Sequence, residues 1–268
     1  MRAVVSEKNN IKLPTFFGKG LKGAIGWIIP IAVLVTWQIL GDLKLIKTLI
    51  FPTPLMIWDS FLWLCQNGDL LDHINGTFFR TFLGFLIGGG LGLIIGLFVG
   101  LSKICEILLN STVQMIRMIP HISVTFLFVL WLGIGDASKI MLIAKGSFFP
   151  LYIFTFLGIR NVDNKLFEVT KILGYSRLKV VTRLILPATI PQLVLGIRQS
   201  LGIAWGSLVV AEMMGSSNGL GYLMMDARAM SDTATVFVGI ILFTIFAKLT
   251  DSIVLWIEKL LLRWNTTS

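Results

Sequence analysis

Residues 82–101 read FLGFLIGGGLGLIIGLFVGL. None of these positions is charged, and a helix rising about 1.5 Å per residue needs roughly 20 apolar residues to cross a hydrocarbon layer of about 30 Å. The stretch predicts a membrane-spanning helix and argues against a soluble domain. Its glycines carry a second signal. Gly84, Gly88, Gly92, Gly96 and Gly100 recur every fourth residue, with Gly89 and Gly90 added, so one helix face is bare backbone over several turns. Lipid supplies no hydrophobic drive between helices, and small residues four apart permit the close van der Waals approach that takes its place. The five glycines are expected to form a helix-packing face.

Working outward, further apolar segments fall at Ala24–Leu40, Ile107–Leu132, Lys139–Gly158, Leu193–Met213 and Val236–Ile257, so six spans in all are expected. Composition agrees: the 268 residues are 55% hydrophobic and 14% charged, with a mean hydropathy of +0.85. The net charge of +9 does not indicate nucleic acid. Nucleic-acid binders gather basic residues on one solvated face, whereas here they sit in the polar gaps between apolar runs. No small-residue cleavage pattern follows the first apolar run, so it reads as a retained helix and not a signal peptide. Cys65 and Cys105 fall on opposite sides of the expected bilayer and cannot bridge within one chain.

Lys and Arg near span ends stay on the cytoplasmic side. Arg2, Lys8, Lys12, Lys19 and Lys22 precede the first span, Lys103 follows the second, and Arg160, Lys165, Lys171, Arg177, Lys179 and Arg183 follow the fourth; all are expected inside. Lys259 and Arg263 agree. The stretch after span 1 balances Lys44, Lys47 and Arg80 against Asp42, Asp59, Asp69 and Asp72, and the stretch after span 5 has Asp226 and Asp232 against Arg228. Both belong outside. The expected organisation is a cytoplasmic tail (1–23), a first spanning helix (24–41), an extracytoplasmic segment (42–77), a transmembrane core (78–258) and a cytoplasmic C-terminal tail (259–268).

The cytoplasmic gap 160–187 is too long for a simple connector and too well patterned for disorder. Asp163 or Asn164 is suited to cap a helix whose one face carries Leu166, Val169, Thr170 and Leu173. Gly174 suits the left-handed residue that ends it, and Ser176 can cap a second helix that Pro187 closes. Such a surface helix can lie on lipid, pack on its own chain or dock into a partner's groove. Composition leaves all three open.

The segment resembles the EAA loop of ABC importer permeases: Glu-Ala-Ala, three residues, Gly, nine residues, Ile, one residue, Leu-Pro. Glu168, Gly174, Leu186 and Pro187 are in register, while Val169, Thr170 and Leu184 replace Ala, Ala and Ile. Phe51-Pro-Thr-Pro54, Met118-Ile-Pro120-His121, Leu130-Trp-Leu-Gly-Ile-Gly135, Phe148-Phe-Pro150, Gly158-Ile-Arg160-Asn-Val-Asp163 and Ala211-Glu212 followed by Gly219-Leu-Gly-Tyr-Leu223 are similar to the aliphatic-sulfonate permease group. Its relatives serve taurine, nitrate and bicarbonate. The resemblance implies an all-α type I importer permease fold in the bacterial cytoplasmic membrane, with Glu168, Val169, Thr170, Gly174, Leu186 and Pro187 in a coupling loop. The implied partners are a second permease copy, two ABC ATPases that bind ATP and Mg, and an extracytoplasmic solute-binding protein. No cofactor or metal in this chain is implied.

An ionisable side chain near the bilayer centre costs about 2.5–3.5 kcal/mol, so each is a functional candidate. Arg117, Arg198 and Lys248 can snorkel to an interface, and Lys248 can pair with Asp251 one turn away. His121 and Lys145 are harder to place. Together with Trp205 they are expected to face an anion pathway, with packing roles as the alternative, and Pro120 is expected to kink the third span. No GxxxxGK[ST], HExxH or nucleophile-elbow pattern is present, so ATP hydrolysis is expected on another chain. A secondary transporter would show an internal repeat, and none is legible.

Overall fold

The computed structural model describes residues 19–262, with side chains from Gly26 onward. The side chains of Arg2, Lys8, Lys12, Lys19, Lys22 and Arg263 lie outside the described residues, as does most of the expected N-terminal tail. Ten helices follow: α1 (Lys19–Asp42), α2 (Pro54–Asn67), α3 (Asp69–Leu101), α4 (Lys103–Arg117), α5 (His121–Leu132), α6 (Asp136–Arg160), α7 (Asn164–Ile172), α8 (Arg177–Met213), α9 (Leu220–Ala229) and α10 (Thr233–Leu261). No strand occurs among the described residues.

Four of these helices, α3, α6, α8 and α10, are long and apolar enough to cross a membrane. The expected third span, Ile107–Leu132, is not one helix. It breaks at residues 118–120 into α4 and α5, which meet at 94°. Pro120 is the cause: a proline disfavours α geometry in the residue before it and lacks the N–H that would continue the ladder. Helix α1 runs for 24 residues, of which Gly26–Asp42 is the part whose side chains are described. The six expected segments therefore fall on α1, on the broken pair α4–α5 and on the four continuous helices α3, α6, α8 and α10.

Two other boundaries differ from expectation. The second span begins much earlier than Phe82, because α3 runs from Asp69. Pro187 does not close the helix begun by Ser176; α8 continues through it to Met213. A π turn at Val181–Ile185 precedes the proline, and the Leu186 N–H donates to the Val181 carbonyl. The widened turn accommodates a ring that would otherwise press on the carbonyl four residues back.

Helix α6 is the centre of the bundle. On one side, added side chains at the α3 glycines would collide with it: at Gly84 with Ile143 Cβ (2.6 Å), at Gly96 with Thr155 Cβ (2.8 Å) and at Gly100 with Ile159 (2.7 Å). At Gly88 and Gly92 the obstacles are the carbonyl oxygens of Ala144 and Phe148, so the two backbones touch. On the other side α6 meets α8, where an added Cβ would lie 2.6 Å from Thr189 at Gly158 and 2.8 Å from Phe154 at Gly196. A separate apolar cluster of Ile57, Leu64, Leu70, Leu220, Leu223 and Val238 joins α2, α3, α9 and α10.

Candidate functional site

The break before α5 opens onto a cavity of about 570 Å³. Arg117, His121, Lys145 and Gln199 bring polar groups to its wall, and Phe149 and Phe154 bring aromatic ones. Lys145 Nζ donates to the Ile119 carbonyl at 2.9 Å, at the carbonyl end of α4. His121 Nε2 is buried with no hydrogen-bond partner among the described residues. Pro120 precedes α5 and no side chain caps its first turn, so the turn's N–H groups have no partner within the helix. A Cβ at Gly146 would lie 3.2 Å from His121 Cε1, so glycine there makes room for the imidazole.

Of the three residues expected to share a pathway, the fold brings His121 and Lys145 together and keeps Trp205 apart. Trp205 is 3% exposed and packs on Ile143, Ala204 and Leu208. Its indole meets Phe78 and Phe243 edge-on, with centroids 5.5 and 5.4 Å away. It borders a neighbouring cavity with Arg198 and Asp251. Arg117, read from sequence as an interfacial group, joins His121 and Lys145 instead. The available signal was its place one helical turn before His121, with Pro120 between.

Helix α7 is a second feature. The Asp163 side chain accepts from the Lys165 N–H at 2.9 Å and starts the helix. Gly174, at φ +65°, ends it in the left-handed region where a Cβ is penalised. Ser176 then accepts from the Lys179 N–H. Thr170 is buried, but Val169 is half exposed and Ile172 is 86% exposed, alongside exposed Leu166, Leu173 and Leu178. Glu168 is exposed on the same short helix. Leu186 and Pro187 lie beyond the π turn, within the continuous α8. The loop thus presents uncovered apolar side chains at one end of the bundle.

At the other end lies an ionic cluster that the sequence reading did not assemble, with Arg80, Lys139 and Glu212 buried and Asp136 half exposed. Arg80 (3% exposed) donates to Asp136 at 2.7 Å and to Glu212 at 2.8 Å, and also reaches the Asn218 backbone and side chain. Glu212 (1% exposed) further accepts from Thr77 Oγ1 and from the Gly221 N–H. Lys139 lies 3.8 Å from Asp136 and donates to the Ile134 carbonyl. Two basic and two acidic groups cancel, and they tie the ends of α3, α6, α8 and α9 together. Arg80 and Glu212 lie far apart in sequence, so only the presence of ionisable groups in apolar helices hinted at this clasp.

Comparison with known proteins agrees with this architecture. Residues 88–263 match the family described as binding-protein-dependent transport system inner membrane component. A Bacillus subtilis (strain 168) protein named for aliphatic sulfonates transport, the permease SsuC, is 49% identical over 242 residues, covering 90% of this chain and 88% of its own. Its Escherichia coli (strain K12) namesake is 40% identical, covering 89% and 91%. The taurine transport system permease TauC of the same strain is 29% identical over 88% of both chains. Among solved structures, an inward-facing form of the MetNI methionine ABC transporter superposes with a TM-score of 0.53 at 20% identity, covering 72% of this chain and 96% of that one, which speaks to fold alone. The chain therefore belongs to the binding-protein-dependent transport system inner membrane component family, as the multi-pass permease subunit of an ABC importer.

Proposed function

We propose that this permease imports aliphatic sulfonates across the bacterial cytoplasmic membrane. The observation that carries the reading is the 49% identity, over 90% of the chain, to a permease named for that cargo. Taurine, nitrate and bicarbonate are the competing oxyanions. The family implies a partner ATPase and a substrate-binding protein. Permease subunits of this kind carry no cofactor, and ATP and Mg belong to the ATPase.

Within that assembly, α7 is the coupling helix. Its exposed Ile172, Val169 and Leu166 give a partner groove apolar side chains to bury, the arrangement by which an amphipathic helix seats in a partner. Glu168, Val169, Thr170 and Gly174 form the docking element, and Leu186 and Pro187 join it to the spanning part of α8. Two permease copies, each with its own ATPase, complete a pathway through lipid. Both termini and α7 are cytoplasmic, and the segments around α2 and α9 face the binding protein.

The test is uptake of a radiolabelled short alkanesulfonate by proteoliposomes holding the full transporter and its binding protein, with taurine, nitrate and bicarbonate as competitors. Alkanesulfonate is expected to be taken up in preference to the three competitors; exclusive uptake of any one of them would replace the cargo. Glu168→Ala is expected to lower transport per ATP hydrolysed severalfold while the complex still assembles. Unchanged coupling would remove α7 from this role.

A further inference from the structure

The basic side chains within the bundle divide into two groups. Arg80, Lys139, Arg160, Arg198 and Lys248 each have a carboxylate within 3.8 Å. Arg117 and Lys145 have none within 4.0 Å among the described residues, and no acidic residue lines the cavity they share. Lys145 is half-buried within the spanning helix α6, where a charge without a counter-charge is costly, and a wall that carries cations and no carboxylate favours an anion. The buried, unpartnered His121 Nε2 faces the same need for a partner. Facing these donors, Phe149 and Phe154 offer an apolar surface. The wall therefore matches a charged head joined to a short hydrocarbon tail better than a small inorganic anion, which leaves the aromatic surface wet.

We propose that this cavity is a cargo-binding subsite within the permease itself, taking the sulfonate head of a short organic anion on Lys145, Arg117, His121 and Gln199 and its tail on Phe149 and Phe154. The assignment rests on the import function proposed above. Lys145 is already held by the Ile119 carbonyl and so presents an oriented ammonium. The uncapped first turn of α5 adds its N–H groups to the positive side. A sulfonate leaves such a site readily because Arg117 and Lys145 are not locked in a closed cage, as a conducting pathway requires. The phosphate head of an anionic lipid has the same charge chemistry, so the test separates the two sources.

The experiment uses the full permease–ATPase complex in phosphatidylcholine nanodiscs, without the binding protein, and measures equilibrium binding of radiolabelled butanesulfonate. Binding is expected, with Lys145→Met and Arg117→Met each weakening it about tenfold, as loss of one charge-assisted hydrogen bond does. Lys145→Arg should retain it, which guards against a folding defect, and Lys248→Met should leave it unchanged. Nitrate should compete poorly. No butanesulfonate binding, or binding and transport unaltered in Lys145→Met and Arg117→Met, overturns the subsite while leaving the import reading standing. Displacement of butanesulfonate by phosphatidylglycerol, with transport indifferent to both substitutions, assigns the cavity to lipid and also overturns it. If the wild-type complex with its binding protein imports no sulfonate, the import reading fails by itself. Repeating the binding measurement with the anion that is imported then decides the subsite.

Discussion

The Arg80 cluster and the Arg117 cavity contain the same kinds of side chain and differ in one respect. At Arg80 every charge has a partner: two cations, two carboxylates, and the Gly221 amide and Thr77 hydroxyl on Glu212. At Arg117 two cations and an imidazole surround a void. The first arrangement ties helix ends together and leaves nothing for a ligand to do. The second leaves its cations without a nearby carboxylate, the feature on which the proposed anion subsite rests. Ionisable residues in apolar helices therefore cannot be sorted by residue type; the presence or absence of a counter-charge sorts them.

Three substitutions would break or sharpen this contrast. Arg80→Ala leaves Glu212 buried without its cation, and such losses cost about 3–5 kcal/mol. Thermal unfolding of the purified complex should show it as the largest loss, whereas the paired replacement Arg80→Met with Glu212→Leu should recover much of it. An Arg80→Ala protein as stable as wild type would mean that the cluster does not hold these helices together. Next in size is Gly88→Ala, whose methyl would meet the Ala144 carbonyl and force α3 from α6, at about 1–3 kcal/mol by analogy with overpacked cores. Gly90→Ala, with nothing within 4 Å, is the control and should be neutral or slightly stabilising. Equal effects at the two glycines would dissolve the packing face. The smallest change is expected at Lys248→Ala, where a mostly exposed pair with Asp251 is worth about 0–1 kcal/mol. A larger loss there would show that pairing alone does not mark the structural charges.

Much of this was legible in the chain. The uncharged run 82–101 specifies a spanning helix by transfer cost alone, and the loop's local chemistry is readable because Asp163, Gly174 and Ser176 act within a few residues of themselves. The early start of α3 was not readable. Asp72, His73, Asn75 and Arg80 make residues 69–81 look like a solvated loop, and the partners of His73 and Arg80, namely the Gly219 N–H, Glu212 and Asn218, lie more than 130 positions away. Pro120 announced a bend without its size, since a proline fixes one dihedral and neighbouring helices set the rest. Pro187 misled because the π turn before it has no sequence mark. Arg117, His121 and Lys145 were named individually and Gln199 and Phe154 were not, and what unites the cations, the lack of any nearby carboxylate, is a property of three dimensions.

The backbone contact between α3 and α6 has a mechanical consequence. Where Gly88 and Gly92 stand against the carbonyls of Ala144 and Phe148, no side chain lies between the two backbones, so any larger residue at either position has to push α3 and α6 apart. The proline elbow between α4 and α5 abuts the other side of this pair through the Lys145 contact with the Ile119 carbonyl.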